Sequence, residues 1–148
     1  MRISSLSPLF AGVAVSTALL ISSPALAEMM KMAATLEAAQ EVPPNDSAAT
    51  GTAELTFDSE TKMLEWTVEY SGLTGPATAG HLHGPAAAGE NADVAVPFEG
   101  DVATSPVKGS ATLTDAQAAD LIAGKYYVNI HTEANKGGEI RGQVEKAM

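Results

Sequence analysis

An antiparallel β-sandwich of about eight strands with one short helix is the fold this sequence predicts. Two consecutive runs alternate apolar and polar residues with period 2, turn-forming clusters recur at short spacing, and only one segment carries helix signals. In the first run, Thr50 to Phe57, Ala53, Leu55 and Phe57 share one face and Thr52, Glu54 and Thr56 the other. Asp58-Ser59-Glu60-Thr61-Lys62 is a polar turn. The second run places Leu64, Trp66, Val68 and Tyr70 against Glu65, Thr67 and Glu69, so the two runs form a hairpin with one dry face. Further strands are expected at Lys31–Glu37, Thr78–His83, Val94–Val96, Pro106–Leu113, Tyr126–Thr132 and Glu139–Glu145. Pro43-Pro44-Asn45-Asp46 and Gly72 to Pro76 break the pattern, and Asn135-Lys136-Gly137-Gly138 turns the chain between the last two strands. Thr114-Asp115-Ala116-Gln117 matches a capping box, and Gly124 stops the helix it opens. Hairpin-connected strands with a single helix make a sandwich the expected arrangement.

The first residues read as an export signal, residues 1–27. Arg2 precedes the apolar run Leu9 to Ile21, and Ala25-Leu26-Ala27 is an A-x-A cleavage site. That run is short for a membrane span, which needs about 20 apolar residues, so no stable membrane insertion is expected once it is removed. Residues 28–148 are then enough for one domain. There is no cysteine, which removes disulfides, thiolate metal ligands, a thiol nucleophile and a lipid-bearing cysteine after the signal. Losing Arg2, the signal's one charge, takes the net charge from −10 to −11. Such a surface repels phosphate backbones and attracts cations, so nucleic acid is excluded as a partner class. The localisation this predicts is periplasmic or secreted.

The chain has three histidines, in two extended segments: Gly80-His81-Leu82-His83-Gly84-Pro85 and Tyr127-Val128-Asn129-Ile130-His131-Thr132. In a strand, residues i and i+2 point the same way, with alpha carbons about 7 Å apart, so His81 and His83 present adjacent imidazoles. With His131 they form a candidate three-nitrogen site for copper or zinc, provided the two strands are neighbours. The plainer alternative is that each ring satisfies a local hydrogen bond on a half-exposed strand. As metal ligands, they should lose affinity as pH falls through the imidazole range near 6.5. Asp93, Glu133 and Glu139 are carboxylates that can support such a site, and Asn129 shares the face of His131. Met29, Met30 and Met32 invite a copper(I) reading, but Met30 and Met32 alternate as strand residues do and fit a core or a frayed terminus better. Arg141 is expected to brace an acid, either Glu139 two residues away or one on the adjoining strand.

Four segments carry a family resemblance: Gln40-Glu41-Val42-Pro43-Pro44, Ala79 to Ala86, Tyr127 to Thr132, and Gly137-Gly138-Glu139-Ile140-Arg141-Gly142-Gln143. Over roughly Thr35 to Val144 the chain resembles the CHRD domain, the chordin-type module also found in exported bacterial proteins. The resemblance implies an all-β exported module without an established general activity. Lys136 stands where the family's final turn often has proline, and Gly80 where alanine is common. The His-x-His pair with a distant histidine is also similar, in spacing alone, to the copper site of copper–zinc superoxide dismutase.

No Gly-x-Ser-x-Gly elbow and no His-Glu-x-x-His helix is present, so no catalytic residue is assigned and the chain leans away from being an enzyme. Two readings lead: an exported metal-binding module using His81, His83 and His131, with copper ahead of zinc, and a structural or interaction module with no metal. In the second, the loops Gly84–Ala92 and Pro97–Pro106 meet an unidentified protein partner. Superoxide dismutation is the most concrete enzymatic version, and the histidines of a second metal site are missing from it.

Overall fold

The computed structural model describes residues 27–148. The expected signal lies outside the described residues except for its last residue, Ala27. The elements in chain order are β1 (Met29–Glu37), a 3-10 turn (Ala38–Gln40), β2 (Thr50–Asp58), β3 (Met63–Ser71), β4 (Ala77–His83), β5 (Val94–Pro97), β6 (Val107–Thr112), α1 (Asp115–Ile122), β7 (Tyr127–Thr132), β8 (Ile140–Gln143) and β9 (Glu145–Lys146). Every expected strand forms, and the last is split at Val144 into β8 and β9.

The expectation of two packed sheets is corrected in detail. All strands belong to one antiparallel sheet in the order β5-β4-β7-β8-β1-β2-β3-β6, with β9 also on β1. The seam between its two four-stranded halves is thin, with Glu37 and Arg141 the one paired position between β1 and β8. The sheet curls into a nearly closed barrel. On the far side from the seam, Trp66 on β3 lies over Gly109 of β6 and stacks on Phe98, just past β5, at 4.8 Å between ring centroids. Phe98 N–H also donates to Gly80 O. Aromatic packing bridges the gap that hydrogen bonds leave open. A Cβ at Gly109 would stand 2.6 Å from the Trp66 ring, so the bridge requires glycine there.

The dry faces read from the alternation are inside. Leu36, Phe57, Leu64, Val68, Leu82, Val128, Ile130 and Ile140 have no exposed surface. Met32 joins this core and Met30 packs against it, which disposes of their reading as copper(I) ligands. The helix forms for the expected reason: Thr114 Oγ1 accepts from Gln117 N–H, and Gln117 Oε1 accepts from Thr114 N–H. Gln117 Nε2 then donates to Ala95 O, tying α1 to the β5 edge. Gly124 ends the helix at φ +73°, a conformation that favours glycine. No helix of the described residues is long and apolar enough to cross a membrane.

One irregularity positions the histidines. Ala77 pairs with Thr132 while Ala79 pairs with His131, so Thr78 is an extra residue in β4. The bulge reverses the inward face of β4, turning Ala77 into the core before it and Gly80 and Leu82 after it. His81 and His83 consequently point outward.

Candidate metal centre

β4 and β7 are neighbours, and their register gathers the three imidazoles. His81 lies opposite Asn129 and Ala79 opposite His131, which makes His131 the diagonal neighbour of His81. One nitrogen from each of His81, His83 and His131 lies within 4.8 Å of the other two. His81 Nδ1 and His131 Nε2 are 3.0 Å apart. Two nitrogens bound tetrahedrally at about 2.0–2.1 Å from one ion stand roughly 3.3 Å apart, so the separation of this pair suits chelation once the His81 proton moves from Nδ1 to Nε2. The widest separation has to close by about 1.5 Å for the same geometry.

Hydrogen bonds set which nitrogens are free. His83 Nδ1 is 2.9 Å from Ala92 O, and His131 Nδ1 is 2.9 Å from Lys136 O. A carbonyl oxygen only accepts, so both Nδ1 atoms carry the proton and both Nε2 atoms keep a lone pair. His83 Nε2 is buried without a hydrogen-bond partner. His131 Nε2 accepts from His81 Nδ1–H. Burial holds His81 down to about 4, helped by the charges His131 and His83 would carry. Burial also lowers His83 and His131, outweighing the carbonyl bonds that favour their protonated forms. At neutral pH the cluster is three uncharged rings, the form a metal takes.

The supporting groups are not the acids that spacing suggested. Backbone carbonyls orient His83 and His131. Glu133 pairs with Lys136 at 2.9 Å on the surface. Asp93 makes no side-chain hydrogen bond to a ring among the described residues, although its charge favours protonated His83. Glu139 faces a different group of residues: Ser47, Thr74 and Thr132. Asn129 donates to Glu41 Oε1 and Ile140 O, not to His131. The expected Arg141–Glu139 brace is absent. Arg141 instead lies over the Tyr127 ring, 3.5 Å from its centroid, and donates to Asn91 Oδ1 and Glu90 O.

Tyr127 escaped the sequence reading although its signal was available: it shares the parity of Asn129 and His131 on β7. Its ring is parallel to that of His83 within 2° at 5.0 Å. Glu41 was also missed, because its proximity depends on the chain returning over the sheet. It is 6 % exposed, and burial pushes its carboxyl up to about 7, against the Asn129 hydrogen bond and the Arg141 charge. Its folded value exceeds the ordinary 4.5, so its stabilising contribution is full below pH 4.5 and is lost as pH rises through about 7. Glu41→Gln is therefore expected to match the parent in urea unfolding at pH 5 and to exceed it at pH 8. Equal loss at both values would mean that Asn129 needs the carboxylate itself.

These observations define a class: a nearly closed antiparallel β module with three imidazoles converging on its outer sheet face. Residues 32–144 match the CHRD domain model, and the chain belongs to the CHRD domain family. No curated protein and no solved structure matches it.

Proposed function

We propose that this chain is an exported module that binds a transition-metal ion, copper in preference to zinc, through His81, His83 and His131. The observation that carries the reading is the convergence of three imidazoles, two with Nδ1 tied to a carbonyl so that the lone pair lies on Nε2, unpartnered in His83 and shared with His81 in His131. Copper is favoured because an all-imidazole site follows the general affinity order of divalent ions, in which copper(II) exceeds zinc. The acidic surface concentrates cations around it. Export, to the periplasm or the medium, rests on the leader-like first residues. Storage, delivery and sensing all use such a site, and no catalytic step is assigned to it.

The test is metal content and copper(II) and zinc(II) titration of the untagged chain beside a His81→Ala/His83→Ala/His131→Ala variant. Near-stoichiometric metal that disappears in a variant with the parent's circular dichroism is the expected result. Binding that does not depend on the histidines would leave the alternative, a structural or interaction module whose histidines serve only the sheet.

A further inference from the structure

Resting on the metal reading, we propose that Arg141 is a positioning residue for His83, acting through the loop between Gly84 and Asp93. Arg141 is on β8, two strands from the β4 that carries His83, and is 2 % exposed. It forms no ion pair with an acid among the described residues. Both of its hydrogen bonds go to that loop, from Nη1 to Asn91 Oδ1 at 2.9 Å and from Nη2 to Glu90 O. A buried guanidinium used in this way fixes the loop's last turn against the sheet.

The next residue of the loop carries the effect to the histidine. Ala92 O accepts the Nδ1–H of His83 at 2.9 Å. The Tyr127 hydroxyl holds the same residue, accepting from Ala92 N–H at 3.1 Å and donating to Ala92 O at 3.3 Å. Since β4 and β8 flank β7, the Tyr127 ring stands between the His83 ring and the Arg141 guanidinium. Arg141 thus holds both contacts of His83, the carbonyl that keeps the proton on Nδ1 and the ring it stacks on. The resulting lone pair is on Nε2, which is buried and has no partner. Without the clamp, Ala92 O drifts, the proton exchanges between the two nitrogens, and Nε2 is no longer held ready.

Arg141→Lys keeps the charge and loses both the fork and the planar stack. It is expected to weaken copper(II) and zinc(II) binding by about 10-fold or more. The copper(II) electron paramagnetic resonance spectrum should lose the coupling of one imidazole nitrogen, the same one lost in His83→Ala. In the Arg141→Lys/His83→Ala double variant, affinity should equal that of His83→Ala within about twofold, because the clamp has nothing left to position. Asn91→Ala, at an exposed loop residue, should repeat the effect in smaller measure and serves if Arg141→Lys does not fold. In the metal-free chain, nitrogen-15 spectra of the imidazoles should show His83 as the Nδ1–H tautomer in the parent and as a mixture in Arg141→Lys. Parent-like affinity in both variants, or additive losses in the double variant, would overturn the proposal. If the parent binds neither metal, the metal reading falls, and the tautomer comparison still decides the clamp: an unchanged tautomer in both variants would overturn it.

Discussion

Glu139→Ala is expected to lower unfolding free energy at pH 7 by about 3 kcal/mol, a large share of what a domain of this size commands. Glu139 has no exposed surface and forms no ion pair among the described residues. Its charge is held entirely by hydrogen bonds. Ser47 Oγ–H and Thr74 N–H donate to Oε1 at 2.6 and 2.8 Å, and the Thr74 and Thr132 hydroxyls donate to Oε2 at 2.8 and 2.6 Å. Two loops and the end of β7 meet at this carboxylate. Burial alone would raise its pKa, but these donors outweigh burial and hold it down to about 2. Alanine removes the acceptor shared by four donors, and Thr74 N–H, unlike the hydroxyls, cannot turn to another partner.

The same group sets a pH dependence. Its folded pKa lies below the ordinary 4.5, so its stabilising contribution is full above that value and is lost as pH falls toward about 2. Urea unfolding across pH 2 to 5 should show a steep acid slope in the parent and a flatter one in Glu139→Gln. A Glu139→Ala variant within about 1 kcal/mol of the parent at pH 7 would mean that the four donors find other partners.

Copper(II) affinity is expected to hold as pH falls from 7.5 to the ordinary imidazole range near 6.5 and to begin its decline below that range. An exposed histidine cluster would instead weaken around 6.5, as spacing alone predicts. The difference comes from burial, which keeps His81 neutral to about 4 and also lowers His83 and His131. A proton competes with the metal only once a ring accepts it. The sign of the stability effect follows: with folded values depressed, the neutral rings contribute fully above 6.5, and that contribution is lost as pH falls through the folded values. The metal-free chain should therefore lose stability between pH 6.5 and 4 on account of these rings. Replacing His131 should abolish high-affinity binding at every pH, since its Nε2 is the nitrogen already paired with His81. An affinity that drops tenfold between pH 7.5 and 6.5 would show rings that titrate as in solvent, contrary to their burial here.

Much of the frame is local chemistry. The hairpin of β2 and β3 follows from strict alternation, and Asp58 Oδ1 anchors its turn by accepting from Glu60 and Thr61 N–H. The helix follows from its capping box, and the shared face of His81 and His83 from strand parity. Each rests on residues a few positions apart, where side-chain direction and backbone preference decide the outcome.

The joining of the two halves into one curled sheet was not legible, because the seam rests on few paired positions, Glu37 with Arg141 on β8 and Met32 and Ala33 with Lys146 and Glu145 on β9, and the opposite gap is bridged by Trp66 and Phe98. Nor was the partner of Arg141. Glu139 is two residues away in sequence, yet it turns to Ser47, Thr74 and Thr132, while Arg141 goes to Tyr127 and the Gly84–Asp93 loop.

Sequence parity placed two imidazoles side by side and named the third as a candidate. That His131 meets them is a matter of register between β4 and β7, and the strands are nearly fifty residues apart in the chain. Register is decided by burial. The pairings that put Leu82 opposite Val128 and Gly80 opposite Ile130 bring their inward faces into the core, and a one-residue slip would take Leu82, Val128 and Ile130 out of it. The Thr78 bulge completes the arrangement by turning His81 and His83 outward. Alternation along one strand carries no information about its neighbour, so only the packed core selects the pairing that brings the three rings together.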